Sequence, residues 1–316
     1  MYKKVAVLGG GTGLSALLKG LKLYPLDISA IVSVCDDGAS TGKLREEFNI
    51  PAVGDIRKVI VSLSETEPLV EELLNYRFNT SSDLNGHAVG NLLLTALKNI
   101  TGNMTDGITA LSKVLNLKGN VIPLTEDNVI LMGKMEDNTI VEGEHNITEI
   151  DKKIKDVYYK VEPKVTEEAL KTIREADCII FSMGSLYTSI IPNLLCREMI
   201  KEIDKSNAKI VYVCNMMTQP GETDDYKVSD HVKTINKYLG KRKIEYVIAN
   251  IGEINNEIIE KYATLEQKDK VIYDKENLKN MKIKTIVDNF VHIDNEMIRH
   301  DNMKLSFYIF SLLTRG

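Results

Sequence analysis

The amino-acid sequence predicts an α/β protein: a Rossmann-like, mostly parallel sheet with helices on both faces and a small β insertion. Three observations carry this. Lys3–Gly9 (KKVAVLG) is a continuous apolar, β-branched run that stops at glycine, the pattern of a strand covered on both faces. A stretch over 13–23 follows, with Leu14, Leu17, Leu18 and Leu21 at helical spacing, and then a second apolar run over 28–34 (ISAIVSV). Strand, glycine turn, helix and strand thus fit in about 35 residues, the size of a βαβ unit, whose right-handed crossover sets the strands side by side. The same alternation returns later, where 178–182 (CIIFS) and 209–214 (KIVYVC) flank a helical segment over 192–203.

The remaining elements follow in chain order. Residues 36–42 (DDGASTG) form a polar loop with two glycines, leading to a helix near Gly42. Helical spacing marks 53–64, 71–78 and 106–115, and 88–100 (AVGNLLLTALKNI) is apolar enough to predict a buried helix. The pattern then changes: Asn120–Pro123, 129–135, 139–147 and 155–161 alternate, so 120–163 is expected to be an antiparallel β insertion in a single Rossmann-like domain over 1–316. Thr166 can cap a helix whose first turn holds Glu167 and Glu168, which suit the positive end of its dipole. A helix over 228–239, a strand at Tyr246–Asn250, short strands at 271–272 and 290–293, and a last helix over 304–313 capped by Asp301 complete the reading.

Composition narrows the function. The 316 residues hold 40 Lys+Arg and 45 Asp+Glu, a net charge of −5. A chain with no basic surplus lacks the usual electrostatic footprint for nucleic acid, and the one basic cluster, 241–243 (KRK), reads as a solvated turn. Cys35, Cys178, Cys196 and Cys214 form no CxxC pair, which leaves zinc knuckles and thioredoxin chemistry without support. They read as buried apolar residues in a reducing compartment. The apolar stretch before the first glycines is short for a signal-peptide core, and no run approaches the ~18 apolar residues of a membrane span. A soluble, cytoplasmic protein is expected.

Chemistry gathers at the strand ends. GGGTGL over 9–14 lies between a strand and a helix, where exposed amides and a helix N-terminus can hold an anion. Gly11, Gly13 and Ala16 fit the dinucleotide-binding turn, though a tight βα turn needs glycine for steric reasons alone. No Lys-Ser or Lys-Thr pair follows, so this is not a Walker loop. Asp36 and Asp37 end the second strand; they can bond ribose hydroxyls, hold Mg²⁺, or cap the next helix. Acids here disfavour a 2′-phosphate and hence NADP. Asp55 is a natural N-cap, and Arg57 could grip a phosphate bidentately. His87 and Asn91 are one turn apart and can face one ligand. Ser185, Thr188 and Ser189 follow a second strand–glycine–helix turn, and Asn215 and Gln219 end the next strand. In an open α/β sheet, ligands bind at that edge. No G-x-S-x-G or HExxH occurs, and His231 and His300, beside Asp230 and Asp301, read as parts of caps. No residue is assigned as catalytic and none as a metal ligand.

Taken together, GGGTGLS, VCDDGASTGKLR, GDIRK, GHAVGNLLL, GSLYTSIIPNLL, VCNMMTQPGETDDYKVSDHV and the final RHD resemble the bacterial gluconeogenesis factor (YvcK-like) family. That family lies in a superfamily with 2-phospho-lactate transferase. The resemblance implies a Rossmann-like core with a ligand cleft at the strand ends. It also implies a nucleotide-sugar binder, for UDP-N-acetylglucosamine, linked to cell shape and envelope growth under gluconeogenic conditions, with no known turnover. Carried onto this chain, Gly10, Gly11, Thr12, Gly13 and Leu14 would take the diphosphate and Asp36 and Asp37 would line the cleft. Asn91, Gly184, Ser185, Thr188, Asn193 and Asn215 would complete it, with Tyr262 and Arg299 contributed from the C-terminal part. Lys43, Arg57, His87 and Gln219 join the expected ligand set. The family usually has glycine, serine and arginine where Ala39, Thr41 and Lys43 stand, proline at Met183 and asparagine at Lys58. A regulatory protein partner and self-association are expected. The rival readings are a transferase of a phospho group that uses Mg²⁺ and an NAD-type oxidoreductase. For the latter, no His or Tyr-Lys pair is placed to serve.

Overall fold

The computed structural model describes residues 2–314. The first half runs β1 (Lys3–Gly9), α1 (Gly11–Leu21), β2 (Leu26–Val32), α2 (Ala39–Phe48), α3 (Gly54–Leu63), α4 (Pro68–Asn75), α5 (Val89–Thr101), α6 (Met104–Val114) and β3 (Asn120–Pro123). Next come β4 (Leu131–Met135), β5 (Ile140–Glu142), α7 (Glu144–Glu149), β6 (Ile154–Tyr159), α8 (Glu167–Glu175) and β7 (Cys178–Phe181). The remainder is α9 (Arg197–Lys205), β8 (Lys209–Val213), α10 (Val228–Tyr238), β9 (Tyr246–Asn250), α11 (Asn256–Glu266), α12 (Lys275–Asn280), β10 (Lys284–Asp288), β11 (Val291–Asp294), β12 (Met297–His300) and α13 (Asn302–Thr314).

Seven of these strands form one parallel sheet in the order β10-β9-β8-β7-β1-β2-β3. Its centre is the most apolar part of the chain: Val5–Leu8, Cys178–Phe181 and Ile210–Val213 are all essentially without solvent exposure, as a strand covered on both faces must be. From β1 the chain winds outward to β3, crosses back, and winds outward again from β7 to β10. The order therefore reverses between β1 and β7, and a crevice opens above their carboxyl ends. All four cysteines are buried and free, and no described helix is long and apolar enough to cross a membrane.

Several expected elements change identity. Asn120–Pro123 belongs to the parallel sheet beside β2, not to the antiparallel group, which is β5-β4-β6. Pro123 is tolerated because β3 is an edge strand. The expected strand over 139–147 gives only β5 before turning into α7. The expected helix over 192–203 is broken: a π turn at Leu186–Ile190 and a 3-10 turn at Ile191–Leu194 precede α9. α2 begins at Ala39, inside the predicted loop, and α5 buries one face while Leu93 and Ile100 are exposed. The segment 271–272 makes only isolated bridges. α11, α12, β10 and β12 have no counterpart in the sequence reading.

Candidate functional site

Two glycine turns meet at the switch point. In the first, Gly11 sits at φ +59, a left-handed conformation that L side chains rarely adopt. Gly13 faces the second turn so closely that a Cβ there would lie 2.0 Å from the Met183 carbonyl oxygen. Glycine at 13 is thus demanded by backbone packed against backbone, and not only by the approach of a ligand. The second turn is held by Asn215, whose carboxamide accepts from the Gly184 amide (2.9 Å) and donates to the Gly184 carbonyl (2.7 Å).

Two internal carboxylates sit where anions were expected. Asp55 is not the N-cap of α3. It is buried at the start of that helix, accepts from the Gly11 amide and pairs with Lys58 at 3.0 Å, while burial raises its pKa. Glu222 is buried beneath the second turn and accepts from the Ser185 hydroxyl (2.7 Å), the Tyr187 amide (3.2 Å) and the Gln219 carboxamide (2.7 Å). Burial pushes its carboxyl up to about 6 against those bonds.

Above the two turns lies a cleft of about 900 Å³. Of the expected residues it takes Thr12, Gly13, Gly184, Ser185, Asn215, Gln219, Tyr262 and Arg299. It adds Lys19, Lys268, His292 and His300, which sequence reasoning missed. Lys19 could have been found, since Thr12, Ser15, Ala16 and Lys19 share the α1 face opposite its leucines. The two histidines arrive with the β11–β12 hairpin. His300 is half-buried, donates from Nε2 to the Cys214 carbonyl (3.2 Å), and is pushed down to about 4 by desolvation, so it is neutral. Tyr262 uses its hydroxyl to accept from the Ile298 amide (3.0 Å), which pins the hairpin to α11.

The other expected residues lie elsewhere. Leu14 is core, and Gly10 and Gly11 are buried. Thr188 and Asn193 are buried; the Asn193 amide donates to the carbonyls of Gly9 and Ser189. Lys43 is exposed on α2. Asp36 accepts from the Gly38 amide (3.1 Å). Asp37 accepts from the amides of Glu144 (3.0 Å) and His145 (2.8 Å), and so caps α7 from across the chain. The two aspartates diverge, and no group of three or more His, Cys, Asp or Glu among the described residues is arranged to hold a metal. Arg57, His87 and Asn91 cluster at the amino ends of α3 and α5. Ala39 sits at φ +39, a conformation that favours glycine, and Lys58 balances Asp55.

Glu144 lies between the two regions. Burial raises its carboxyl to about 7, helped by Asp36, Asp37 and Asp55 and opposed by a hydrogen bond from Thr188. A carboxyl raised on folding favours the folded state most below its ordinary range near 4.5, and that advantage is lost as pH rises through about 7. Glu144→Gln should therefore match the parent at pH 4 and exceed it by about 1–3 kcal/mol at pH 8. Urea unfolding at both pH values measures this, and equal stability at pH 8 would exclude the shift.

Sheet order and cleft together define a doubly wound α/β protein with its polar cavity at the switch point. The chain belongs to the 2-phospho-L-lactate transferase CofD family, whose model matches residues 5–291. Its relatives there are gluconeogenesis factors. It is 48% identical over 313 residues to the gluconeogenesis factor of Bacillus subtilis, covering 98% of each chain. It is 44% identical to the putative gluconeogenesis factor of Thermotoga maritima, covering 96% and 97%. A crystal structure of a Bacillus halodurans protein superposes with a TM-score of 0.95 at 46% identity, over 98% of this chain and 100% of that one.

Proposed function

We propose that this chain is a nucleotide-sugar-binding regulatory factor that takes UDP-N-acetylglucosamine in the switch-point cleft and serves cell shape and envelope growth under gluconeogenic conditions. The observation that carries the reading is the composition of the cleft wall. Thr12 and Gly13 of the first glycine turn and the cations Lys19, Lys268 and Arg299 line the cleft and suit a diphosphate. Thr12 supplies a hydroxyl on the cleft wall, and Ser185, Asn215 and Gln219 line the same wall while bonding Glu222 and the Gly184 backbone. The sugar and base identities come from the family. Two groups that could serve as a general base are committed, His300 to the Cys214 carbonyl and Glu222 to the second turn, which leaves His292 on the cleft wall. A binder without turnover acts through a protein partner.

Arg299 is exposed on β12 and has no carboxylate partner among the described residues. Arg299→Ala should leave folding unchanged and weaken UDP-N-acetylglucosamine roughly tenfold to a hundredfold, the range for one charged hydrogen bond. Isothermal titration with and without Mg²⁺ measures it, alongside mass spectrometry of the ligand after long incubation. Absence of saturable binding, or retention of NADP in its place, overturns the reading. Release of UDP moves the protein to the transferase class.

A further inference from the structure

The expected ligand residues that miss the cleft have a chemistry of their own. Arg57 on α3 is 5% exposed, and neither its Nε nor its Nη1 has a hydrogen-bond partner among the described residues. A guanidinium carries five donors, and burying one unpaired costs several kcal/mol. Asp55, two residues away, does not bond it; that carboxylate belongs to Lys58 and the Gly11 amide.

The surroundings are built around this side chain. Its stem runs along Gly90 in the first turn of α5, where a Cβ would lie 2.8 Å from Arg57 Cδ. The guanidinium is therefore delivered to the amino end of α5. Asn91, on the same turn and 1% exposed, donates from Nδ2 to the Ser40 hydroxyl oxygen (3.3 Å) and leaves Oδ1 without a partner. Oxygen and nitrogen of a carboxamide are interchangeable in shape. Turned over, Asn91 accepts the Ser40 proton, His87 Nδ1 donates to Ser40 at 3.0 Å, and every free group in the pocket becomes a donor.

The helix ends add a field of the same sign, offset in part by Asp36, whose carboxylate lies beside Gly54 at the start of α3. α2, α3 and α5 all begin here, and none of their N-cap residues, Gly38, Val53 or Ala88, makes a side-chain cap. In α5 the amides of Val89 and Asn91 are taken by the carbonyls of Tyr76 and Ala88, so what these first turns present is chiefly the positive end of the dipole. Arg77 is close enough to lower the pKa of Arg57 after burial, while Asp36 and Asp55 act in the opposite sense.

We infer that Arg57, Asn91 and the first turns of α3 and α5 form a second anion subsite, separate from the cleft, that takes a phosphate group. The group arrives as the free ion or on a small phosphorylated ligand. This does not depend on what the cleft binds.

The test is thermal unfolding of the full chain against inorganic phosphate, with chloride at equal ionic strength as the reference. Phosphate also stabilises proteins without binding, by exclusion from their surface, so saturation is the diagnostic. The wild type should show a saturating rise in midpoint. Arg57→Met should lose it, and without phosphate should be at least as stable as the parent, because an unpaired buried charge is gone. Arg57→Lys keeps the charge but loses the fork and should bind phosphate roughly tenfold more weakly. A non-saturating rise shared by all three proteins overturns the subsite, as does an Arg57→Met protein destabilised in phosphate-free buffer. Repetition with a phosphorylated sugar separates the sources: a tighter response means an attached phosphate, an equal one the free ion. Loss of the phosphate response when UDP-N-acetylglucosamine saturates the cleft overturns the separateness of the two sites.

Discussion

Gly13→Val is expected to destabilise the protein by about 3 kcal/mol or more, the upper range for forcing atoms into a packed interior. The reason is local. The first atom of any side chain at 13 would meet the Met183 carbonyl at 2.0 Å and the Gly184 nitrogen at 3.1 Å. Both are backbone atoms, and the second turn that carries them is held by Asn215. No rotamer relieves such a contact. Loss of ligand binding in this variant would follow from loss of the junction, so it cannot by itself assign the loop to a phosphate. Thr12→Val supplies the contrast, since Thr12 is exposed on the cleft wall. It should keep the parental urea midpoint and alter only ligand affinity. A Gly13→Val protein with the parental midpoint would mean that the two turns are not locked together.

Glu222→Ala has the second large effect, about 3–5 kcal/mol, the range for breaking a buried charged network. It leaves the Ser185 hydroxyl, the Tyr187 amide and the Gln219 carboxamide without their acceptor in a site almost closed to water. The pH dependence has a definite sign. The Glu222 carboxyl is raised to about 6 on folding. The parent is therefore favoured most below its ordinary range near 4.5 and loses that advantage as pH rises through 6. The gap between parent and variant should be widest near pH 4.5 and narrower at pH 8, by chemical denaturation. A gap that widens with pH, or a cost below about 1 kcal/mol, would show that other groups hold the turn.

Both variants show why only part of the candidate site could be read in advance. The glycine turns after β1 and β7 stand out because strand and helix periods change abruptly around them. The cleft at their meeting point follows from the rule for open sheets. Which side chains face that cleft is another matter. Asp37 reads as a ligand group from its neighbours, yet it caps a helix whose first amides lie more than 100 residues along the chain. Asn193 reads the same way, yet it bonds the carbonyls of Gly9 and Ser189, and Asn215, although on the cleft wall, spends its carboxamide on the Gly184 backbone. α7 was hidden for the reciprocal reason, because its cap comes from Asp37 and not from its own flank.

By itself, the sequence determined the parallel sheet, its central apolar strands, the two glycine turns and the family. Each of these depends on periodicity, on glycine, or on long motifs, all of them local along the chain. Only the tertiary structure decided that β3 joins the main sheet and that the β11–β12 hairpin closes the cleft with Arg299 and His300. The same holds for two carboxylates that occupy the expected anion positions and for Arg57, buried with its Nε and Nη1 unbonded among the described residues. Those outcomes turn on which polar group satisfies which buried partner. A buried hydrogen bond is set by distance in space, and residues far apart in the chain supply both of its ends.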